Sequence, residues 1–260
     1  MATSAVQPIR PAATIMIVRD AEPQFELFML RRTKGASFAG GMYVFPGGRV
    51  DADDHLHKYD AVRVEPSETQ APQLRALGYE WRGFLIAALR ETFEEAGLLL
   101  AYEADGSLLS YEHAEKETRF DALRKPLHDN EVTLLDICRQ EQLKLAIDRV
   151  HYFNRFVTPV GRPRRFDTRF FVAKAPAVQV GRHDEAETVD SVWISPGQAL
   201  ARNEAREFDL MRVTQMQLQA LNQYQSADEL LAAVASKTEF PVHRPVVPVN
   251  LPTSDTAAAR

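Results

Sequence analysis

The sequence predicts an α/β protein whose β-sheet is interrupted by a helical block. Residues 13–20 and 25–32 are apolar runs typical of β-strands, and similar runs return at residues 150–159 and 165–173. Between these pairs, residues 83–100 repeat apolar side chains at helical spacing. Because strands precede and follow the helical segments, we expect the sheet to resume after the block.

Length and composition favour a single domain with neither a nucleic-acid nor a membrane partner. The 260 residues are 45% hydrophobic, which is enough for one sizeable core. The formal net charge of −5 provides no overall attraction to nucleic acid. No apolar run approaches the roughly 18 residues that a membrane span needs, and residues 1–10 lack the apolar block of a signal peptide. The single cysteine, Cys138, lies in an apolar run, which indicates a small core residue and a cytoplasmic, reducing environment.

Two glycine-containing segments follow the N-terminal strands. Residues 33–41 form a small-residue loop that is entered through two arginines and a lysine. It can lie close to a ligand's phosphates or simply carry solvated charges. A short strand then leads into the turn at residues 46–51, whose glycines let the backbone approach another group closely. Residues 55–82 are poorly periodic and contain two prolines, which predicts an inserted surface loop.

The predicted helix at residues 83–100 carries acids that a plain core helix would not need. One side of it is apolar, whereas Glu91 and Glu95 lie on another side, one turn apart, with Glu94 beside them. Two like charges at this spacing repel each other unless a cation lies between them. With a metal ion, the same carboxylates become hard oxygen ligands. The functional site is therefore expected here.

The second half of the chain is predicted to add helices and to complete the sheet. Residues 111–127 and 131–147 have helical periodicity. Arginines alternate with aromatic residues at 162–169, a pattern that a single-strand nucleic-acid binder could use, but the acidic total favours a hairpin whose phenylalanines face the core. The remaining predicted segments are a polar loop at 181–187, a strand at 189–194, a helix beginning at Ser195, helices at 214–224 and 227–235, and an extended or disordered tail at 241–260.

The acidic motif resembles the sequence box of the Nudix hydrolases. Gly48 and Asp54 match its first part, with Asp where the family usually has Glu. Arg90-Glu91-Thr92-Phe93-Glu94-Glu95-Ala96-Gly97-Leu98 matches its second part, with Thr92 in place of an aliphatic residue. Residues 55–89 place 35 positions where the family pattern has seven.

This long insert is similar to one branch of the family, which includes the peroxisomal coenzyme A diphosphatase and its bacterial relatives. The branch also has an extra helical segment, here residues 107–148, and a strand similar to the one around Phe166. The resemblance implies one Nudix domain over residues 1–240, with a mixed β-sheet sandwiched between helices and residues 55–82 inserted within the box.

The resemblance also implies a metal site. Glu91 and Glu95, with the carbonyl oxygen of Gly47 or Gly48, are the expected ligands for Mg²⁺ or Mn²⁺, and Glu94 is expected to complete a cluster of two or more ions. The fold must then bring the glycine turn against the helix.

Other residues of the motif are expected to assist the reaction. Arg90 precedes Glu94 by four residues, so its expected role is a helix-surface pair that orients this carboxylate without contacting substrate. The general base is either a box glutamate, Glu91 or Glu94, or an acid on a later loop. Glu187, six residues before a tryptophan, is the loop candidate, and Glu185 is its competitor.

The candidates for binding substrate phosphates are basic residues outside the helix. They are Arg31, Arg32, Lys34 and Arg165, each of which could equally be a surface charge. Relatives that act on coenzyme A have an arginine eight residues before the phenylalanine of the glycine turn. Ser37 occupies that position here, which argues against coenzyme A specificity.

We therefore expect a metal-dependent diphosphatase that acts on a nucleoside diphosphate linked to another group. Coenzyme A or an acyl-coenzyme A is one expected substrate, and ADP-ribose, NADH or a nucleotide sugar are alternatives. A Nudix-fold sensor that binds a nucleotide without cleaving it is a competing hypothesis, which the presence of all three box glutamates disfavours. A homodimer is compatible with the sequence.

Overall fold

The computed structural model describes residues 7–36, 38–184 and 186–246, which form a mixed β-sheet and the helices that cover it. The strands are β1 (Ile9–Arg19), β2 (Glu26–Arg32), β3 (Tyr43–Val44), β4 (Gly47–Arg49), β5 (Ala101–Tyr102), β6 (Lys144–Leu145), β7 (His151–Val157), β8 (Arg165–Lys174), β9 (Thr188–Ile194) and β10 (Val242–His243). The α-helices are α1 (Ala71–Leu77), α2 (Trp81–Ala96), α3 (Ala114–His128), α4 (Leu134–Gln140), α5 (Pro196–Glu204), α6 (Arg212–Leu221) and α7 (Ala227–Ala235).

The main sheet is centred on β1, which pairs along its length with β8. These two strands run parallel from the Ile9–Arg165 pair to the Val18–Lys174 pair. On its other side, β1 pairs antiparallel first with β4 and then with β2. The path through the sheet is β10-β7-β8-β1-β2-β3, with β4 on β1 and β9 on β2. Strands from both ends of the chain thus form one mixed sheet.

Helices cover both faces of this sheet, which confirms the predicted α/β/α sandwich. One core contains α2 with apolar residues of α3 and α4, and the other contains apolar residues of α5, α6 and α7. Adjacent residues of β1 divide between the two cores: Ile15 and Ile17 face α2, whereas Met16 faces the opposite layer. This division follows from the alternation of side chains along a strand. None of the helices in the part of the chain described here has the length and apolar character needed to cross a membrane.

Helix α2 is bounded differently from the predicted helix at residues 83–100. It begins at Trp81 and ends at Ala96, because Gly97 adopts a left-handed conformation with φ of 69°. A glycine in this conformation commonly follows the last helical residue. The apolar residues 98–100 are buried beyond the helix and lead into β5. The prediction was too long at this end because the apolar residues 98–100 continue the helical spacing past Gly97.

The segment predicted as a surface loop, residues 55–82, ends inside α2, and its earlier part packs against this helix. It contains short 3₁₀ turns and α1, with Tyr59 and Leu77 in the core. The Gln70 side chain donates to the carbonyl oxygens of Ile147 and Val150 at 2.8 and 2.9 Å. Such short turns leave no periodic apolar pattern, so the sequence alone did not indicate this packing.

The predicted helix at residues 131–147 is also shorter in the structure. Helix α4 ends at Gln140, and the chain then forms β6, which pairs with β5. Leu143, Leu145 and Ile147 are all buried. Leu143 and Leu145 alternate along the chain that forms β6, whereas Ile147 begins a 3₁₀ turn. Leu143 and Ile147 also match a helical repeat, which is why the sequence predicted a longer helix.

Candidate active site

The β4 turn and helix α2 meet at the glutamates of the box. Glu94 and Glu95 are only 8% and 6% exposed, so they do not lie on a solvated helix face. Gly47 donates its backbone N–H to Glu95 Oε2 at 2.9 Å. A Cβ atom at Gly48 would lie 2.4 Å from the Glu91 carboxylate. The structure therefore brings the glycine turn directly against Glu91 and Glu95.

The pairing of β4 with β1 requires glycine at position 47, and the approach of α2 requires it at position 48. Gly47 pairs with Thr14 and Gly48 pairs with Ala13. At Gly47 the backbone has φ of 153°, and an added Cβ would lie 2.4 Å from the Ala13 carbonyl oxygen. Because β4 is held between β1 and α2, a side chain would collide with backbone on one side or with carboxylate on the other. The absence of side chains thus sets how closely α2 approaches the sheet.

Arg90 is the centre of a buried ion-pair network. Its Nε and Nη2 atoms each donate to Asp54 at 2.9 Å, one to each carboxylate oxygen. Its Nη1 atom donates to Glu91 at 3.0 Å and to Glu94 at 3.1 Å, and Nη2 also donates to the Arg49 carbonyl oxygen at 3.0 Å. Burial opposes the charge of Arg90, but the Asp54 hydrogen bond and the neighbouring carboxylates raise its pKa overall.

The predicted Arg90–Glu94 contact is present, but its predicted place on the helix surface is wrong. The side chains of Arg90 and Asp54 are 11% and 1% exposed. A 3₁₀ turn at Ala52–His55 positions Asp54 over α2, and the Asp51 backbone N–H donates to Asp54 at 2.8 Å. Asp54, a candidate matched only by its place in the box, is therefore the main partner of Arg90.

The acids on α2 have raised pKa values. Burial raises the pKa of Glu91 to about 8, with the charge of Glu94 adding to this effect and Arg90 opposing it. Burial also raises the pKa of Glu94. For Glu95, burial and the nearby Glu91 charge raise the pKa, against the hydrogen bond from Gly47 and the charge of Arg32. These carboxylates are short of positive charge despite the two arginines.

A second wall of the site comes from β2 and the loop before β9. Arg32 Nη2 donates to Glu187 Oε2 at 2.9 Å, and Arg32 Nη1 lies 3.9 Å from Glu95 Oε1. The Thr33 backbone N–H also donates to the Glu187 carbonyl oxygen at 3.0 Å. Two of the predicted residues, Arg32 and Glu187, are thereby placed beside the α2 acids.

The conformation around Glu187 depends on Asp184, which the sequence reasoning missed. Asp184 Oδ1 accepts the backbone N–H groups of Glu187 and Thr188 at 3.1 and 2.9 Å. It also accepts the Thr188 hydroxyl at 2.7 Å. An aspartate that bonds the backbone a few residues later is a known turn former, so an acid in this polar loop was a detectable signal. The competing candidate Glu185 lies outside the described residues, as does Ser37.

Three other basic candidates are not brought to the α2 acids. Arg31 and Arg32 flank an irregularity in the pairing of β2 with β9, and their contacts lie on opposite faces of the sheet. The Arg31 guanidinium lies 5.7 Å from the Tyr43 ring centroid, and its Nε donates to the Gly41 carbonyl oxygen at 3.2 Å. Arg31 and Arg32 therefore do not contact one ligand group from the same face, as a shared phosphate site would require.

The remaining two basic candidates lie at loop and strand ends. Arg165 donates to the carbonyl oxygens of Thr158 at 3.3 Å and Gln7 at 3.1 Å, at the beginning of β8. Lys34 is exposed. Neither forms a salt bridge with a box acid among the described residues. Their assignment to substrate phosphates stays a prediction.

The residues present fit a divalent cation in chemistry, although their arrangement is not that of a ready-made site. Within the described ranges, no group of three or more His, Cys, Asp or Glu side chains is positioned to hold a metal ion. The donor types are hard oxygens: three glutamate carboxylates and the backbone of a turn that contacts two of them. The raised pKa values of Glu91 and Glu95 show that added positive charge would be favourable there.

Comparisons with known proteins found similar sequences and structures. The sequence profile of the NUDT19 Nudix domain matches residues 81–217. Two curated relatives are the acyl-coenzyme A diphosphatases NUDT19 of Gallus gallus and Homo sapiens. The first is 28% identical over 242 residues, covering 79% of this chain and 63% of the relative. The second is 30% identical over 209 residues, covering 67% of this chain and 54% of the relative.

A solved structure is similar along most of the chain. The crystal structure of a NUDIX hydrolase from Alicyclobacillus acidocaldarius superposes with a TM-score of 0.74 at 27% identity, covering 87% of this chain and 96% of that one. By contrast, the chain spans between 54% and 63% of the length of the curated relatives it matches. The range matched by the family profile, residues 81–217, contains α2 and its acids.

Proposed function

This chain belongs to the NUDT19 Nudix domain family, and from this premise we propose that it is a metal-dependent diphosphatase. The reaction is attack of water on one phosphorus atom of a diphosphate, which breaks the P–O bond to the bridging oxygen and releases two phosphate-containing products. The substrate is a nucleoside diphosphate linked to another group.

One observation carries this proposal: buried carboxylates of α2 face a side-chain-free turn. A Cβ at Gly48 would lie 2.4 Å from Glu91, and the Gly47 N–H contacts Glu95. Burying like charges this closely is unfavourable in a structural helix. The same arrangement is expected where the carboxylate oxygens bind a cation, because the positive charge of the cation stabilises carboxylates that burial has removed from water.

In this proposal, Glu91 and Glu95 hold Mg²⁺ or Mn²⁺ together with a backbone carbonyl of the Gly47–Gly48 turn, and Glu94 contributes to a second ion. When bound, such an ion neutralises charge on the diphosphate oxygens and favours deprotonation of water. Arg90 holds Glu91 and Glu94 through its Nη1 atom and is itself held by Asp54. Its part is to orient these carboxylates.

Glu187 and a box glutamate are the candidates for the base that accepts the proton of the attacking water. Support for Glu187 comes from its ion pair with Arg32, which lies between Glu187 and Glu95. Its side chain is 44% exposed, so water has access to it. Replacing Glu187 with Gln should lower kcat about 10²- to 10⁴-fold if it is the base. Unchanged kcat would transfer this role to Glu91 or Glu94.

Coenzyme A and its acyl esters are the proposed substrates, because the relatives are named as acyl-coenzyme A diphosphatases. Ser37, where such relatives have an arginine, makes ADP-ribose, NADH and nucleotide sugars the alternatives to compare. Arg32 is the best placed of the basic candidates to contact a substrate phosphate. Absence of a nucleic-acid partner, a cytoplasmic location and a homodimer stay predictions.

A substrate panel in ¹⁸O-labelled water tests the proposal. Each candidate is incubated with Mg²⁺ or Mn²⁺, and the products are analysed by mass spectrometry. We expect one phosphate-containing product to gain ¹⁸O and excess EDTA to abolish this reversibly. Full activity in EDTA, or label confined to a carboxylate or sugar, contradicts the proposal. Tight nucleotide binding without turnover would favour the sensor.

A further inference from the structure

Arg124 of helix α3 reaches the last turn of helix α2. Its side chain is buried, with the residue 8% exposed. Its Nε donates to the Glu94 carbonyl oxygen at 3.2 Å, and its Nη2 donates to the Glu95 carbonyl oxygen at 3.0 Å. Both acceptors belong to the residues whose side chains form the candidate metal site. An arginine from the inserted helical segment therefore holds the backbone of two box glutamates.

The Arg124 guanidinium lies at the end of α2, where carbonyl oxygens lack helical partners and negative charge accumulates. The last carbonyl groups of a helix have no partner within the helix, and they carry its negative end. Glu94 and Glu95 add two carboxylates at this negative end, where anions are unfavourable. Arg124 satisfies two of these carbonyls and brings a positive charge, which is also paired with Asp121 of α3 through Nη1 at 2.9 Å. It thus keeps the last turn helical where the acids oppose it.

Gly97 leaves space for this contact. An added Cβ at Gly97 would lie 3.3 Å from Arg124 Nη1, and the residue has φ of 69°. Glycine is therefore suited to this position for two reasons: it ends the helix in the left-handed conformation, and it lets the guanidinium lie close to the helix end.

The same guanidinium also holds the loop that leads to Glu187. Arg124 Nη2 donates to the Arg182 carbonyl oxygen at 2.9 Å. The Arg182 backbone N–H in turn donates to the Ala96 carbonyl oxygen at 2.9 Å. Arg124 consequently joins α2 to the loop before β9, and these two elements carry the acids on opposite walls of the site.

We propose that Arg124 is a positioning residue that sets the separation between the α2 glutamates and Glu187. This inference rests on the proposed diphosphatase function and assigns a role to the inserted helix α3. A planar guanidinium donates to three carbonyl oxygens at once, whereas a lysine ammonium cannot reproduce this fixed arrangement. The residue acts through the backbone of Glu94, Glu95 and Arg182 and does not contact the reacting atoms.

The test compares Arg124→Met and Arg124→Lys with Arg119→Met in the full chain. Arg119 lies on the same helix but is 56% exposed and pairs with Glu141, so it is a matched control for loss of an α3 arginine. Mn²⁺ binding is measured by electron paramagnetic resonance without substrate, and hydrogen exchange reports the α2 end in the metal-free protein. Steady-state kinetics then separate kcat from KM.

We expect Arg124→Met to weaken Mn²⁺ binding and to lower kcat by about 10- to 100-fold with little change in KM, the usual range for partners that orient metal ligands. Arg124→Lys should fall between this variant and the wild type, and Arg119→Met should match the wild type. Hydrogen exchange at the end of α2 should accelerate in both Arg124 variants.

Two results would overturn the inference. The first is wild-type Mn²⁺ binding and kcat in a folded Arg124→Lys protein, which also decides the matter if Arg124→Met does not fold. The second is an equal loss in Arg119→Met. If the wild-type protein neither binds Mn²⁺ nor cleaves any diphosphate, the proposed function fails instead, whatever the variants show.

Discussion

Replacing Arg90 with methionine removes the cation that holds Asp54, Glu91 and Glu94. Asp54 is 1% exposed and accepts two hydrogen bonds from Arg90 at 2.9 Å. Removing one partner of such a buried pair typically costs about 3–5 kcal/mol, because the other charge is left uncompensated. A helix-surface Arg90–Glu94 pair would be worth only about 0.3–0.5 kcal/mol. The structure therefore predicts a loss of unfolding free energy about ten times larger than the sequence motif alone suggests.

Urea unfolding in EDTA measures this loss, with Arg82→Met as the control. Arg82 lies on the same helix and pairs at 2.8 Å with Asp60, whose side chain is 35% exposed, so we expect a cost of about 1 kcal/mol or less there. The Arg90→Met loss should be larger near pH 8 than near pH 5, since protonation relieves the stranded carboxylates. Adding Asp54→Asn to Arg90→Met should recover part of the loss, with a coupling of about 1–3 kcal/mol.

A small or additive effect would show that Arg90 is not part of a cooperative buried network. If Arg90→Met costs less than about 1 kcal/mol at pH 8, Arg90 is a surface residue in energetic terms. If its effect and that of Asp54→Asn simply add, the two side chains do not depend on each other.

Other perturbations address the acids and the glycine turn directly. Glu95→Gln should lower kcat at least about 100-fold while the protein stays folded by circular dichroism. The amide oxygen can still accept the Gly47 N–H, but it is a poor metal ligand. Wild-type turnover would exclude this site. Gly48→Ala should displace the Glu91 carboxylate, because an added Cβ would lie 2.4 Å from it. The variant should lose about 1–3 kcal/mol of unfolding free energy in urea and most of the activity. Unchanged stability and activity would contradict the close approach. Burial raises the pKa of Glu91 to about 8 and the pKa of Glu95 above the ordinary 4.5. The folded metal-free protein therefore retains protons that the unfolded chain loses. Its unfolding free energy should fall as pH rises from about 5 to about 8. A flat or rising dependence in wild type would show that these acids are not responsible, and an equal slope in Glu95→Gln would show that Glu95 does not contribute.

The predictions that held from sequence were those in which chemistry and spacing are local. Glu91 and Glu95, one turn apart, had to share a side of any helix they formed. The turn glycines indicated a close approach of backbone to another group, which the structure shows at the same two carboxylates. Thr92, which departs from the family pattern, is buried and donates its hydroxyl to the Ala88 carbonyl oxygen at 2.7 Å, so the helix itself satisfies it.

The predictions that failed depended on distant parts of the chain or on short segments. The main partner of the buried Arg90 is Asp54, which precedes it by 36 positions and is positioned by a 3₁₀ turn. The division of Arg31 from Arg32 depends on which face of β2 meets α2. Residues 55–82 lacked periodicity, and their contacts with α2 and the residues before β7 are made by isolated side chains such as Gln70.

The sequence by itself determined which groups could perform the chemistry. These are carboxylates one helical turn apart and glycines whose lack of a side chain lets the carboxylates lie close to the backbone. Only the tertiary structure decided how deeply those carboxylates are buried, which cations lie near them and which residues hold them in place. A residue's pKa and orientation depend on burial and on partners brought from other elements, here Asp54 for Arg90 and Arg124 for the end of α2. Spacing along one helix cannot specify these partners, because they approach it from separate segments of the chain.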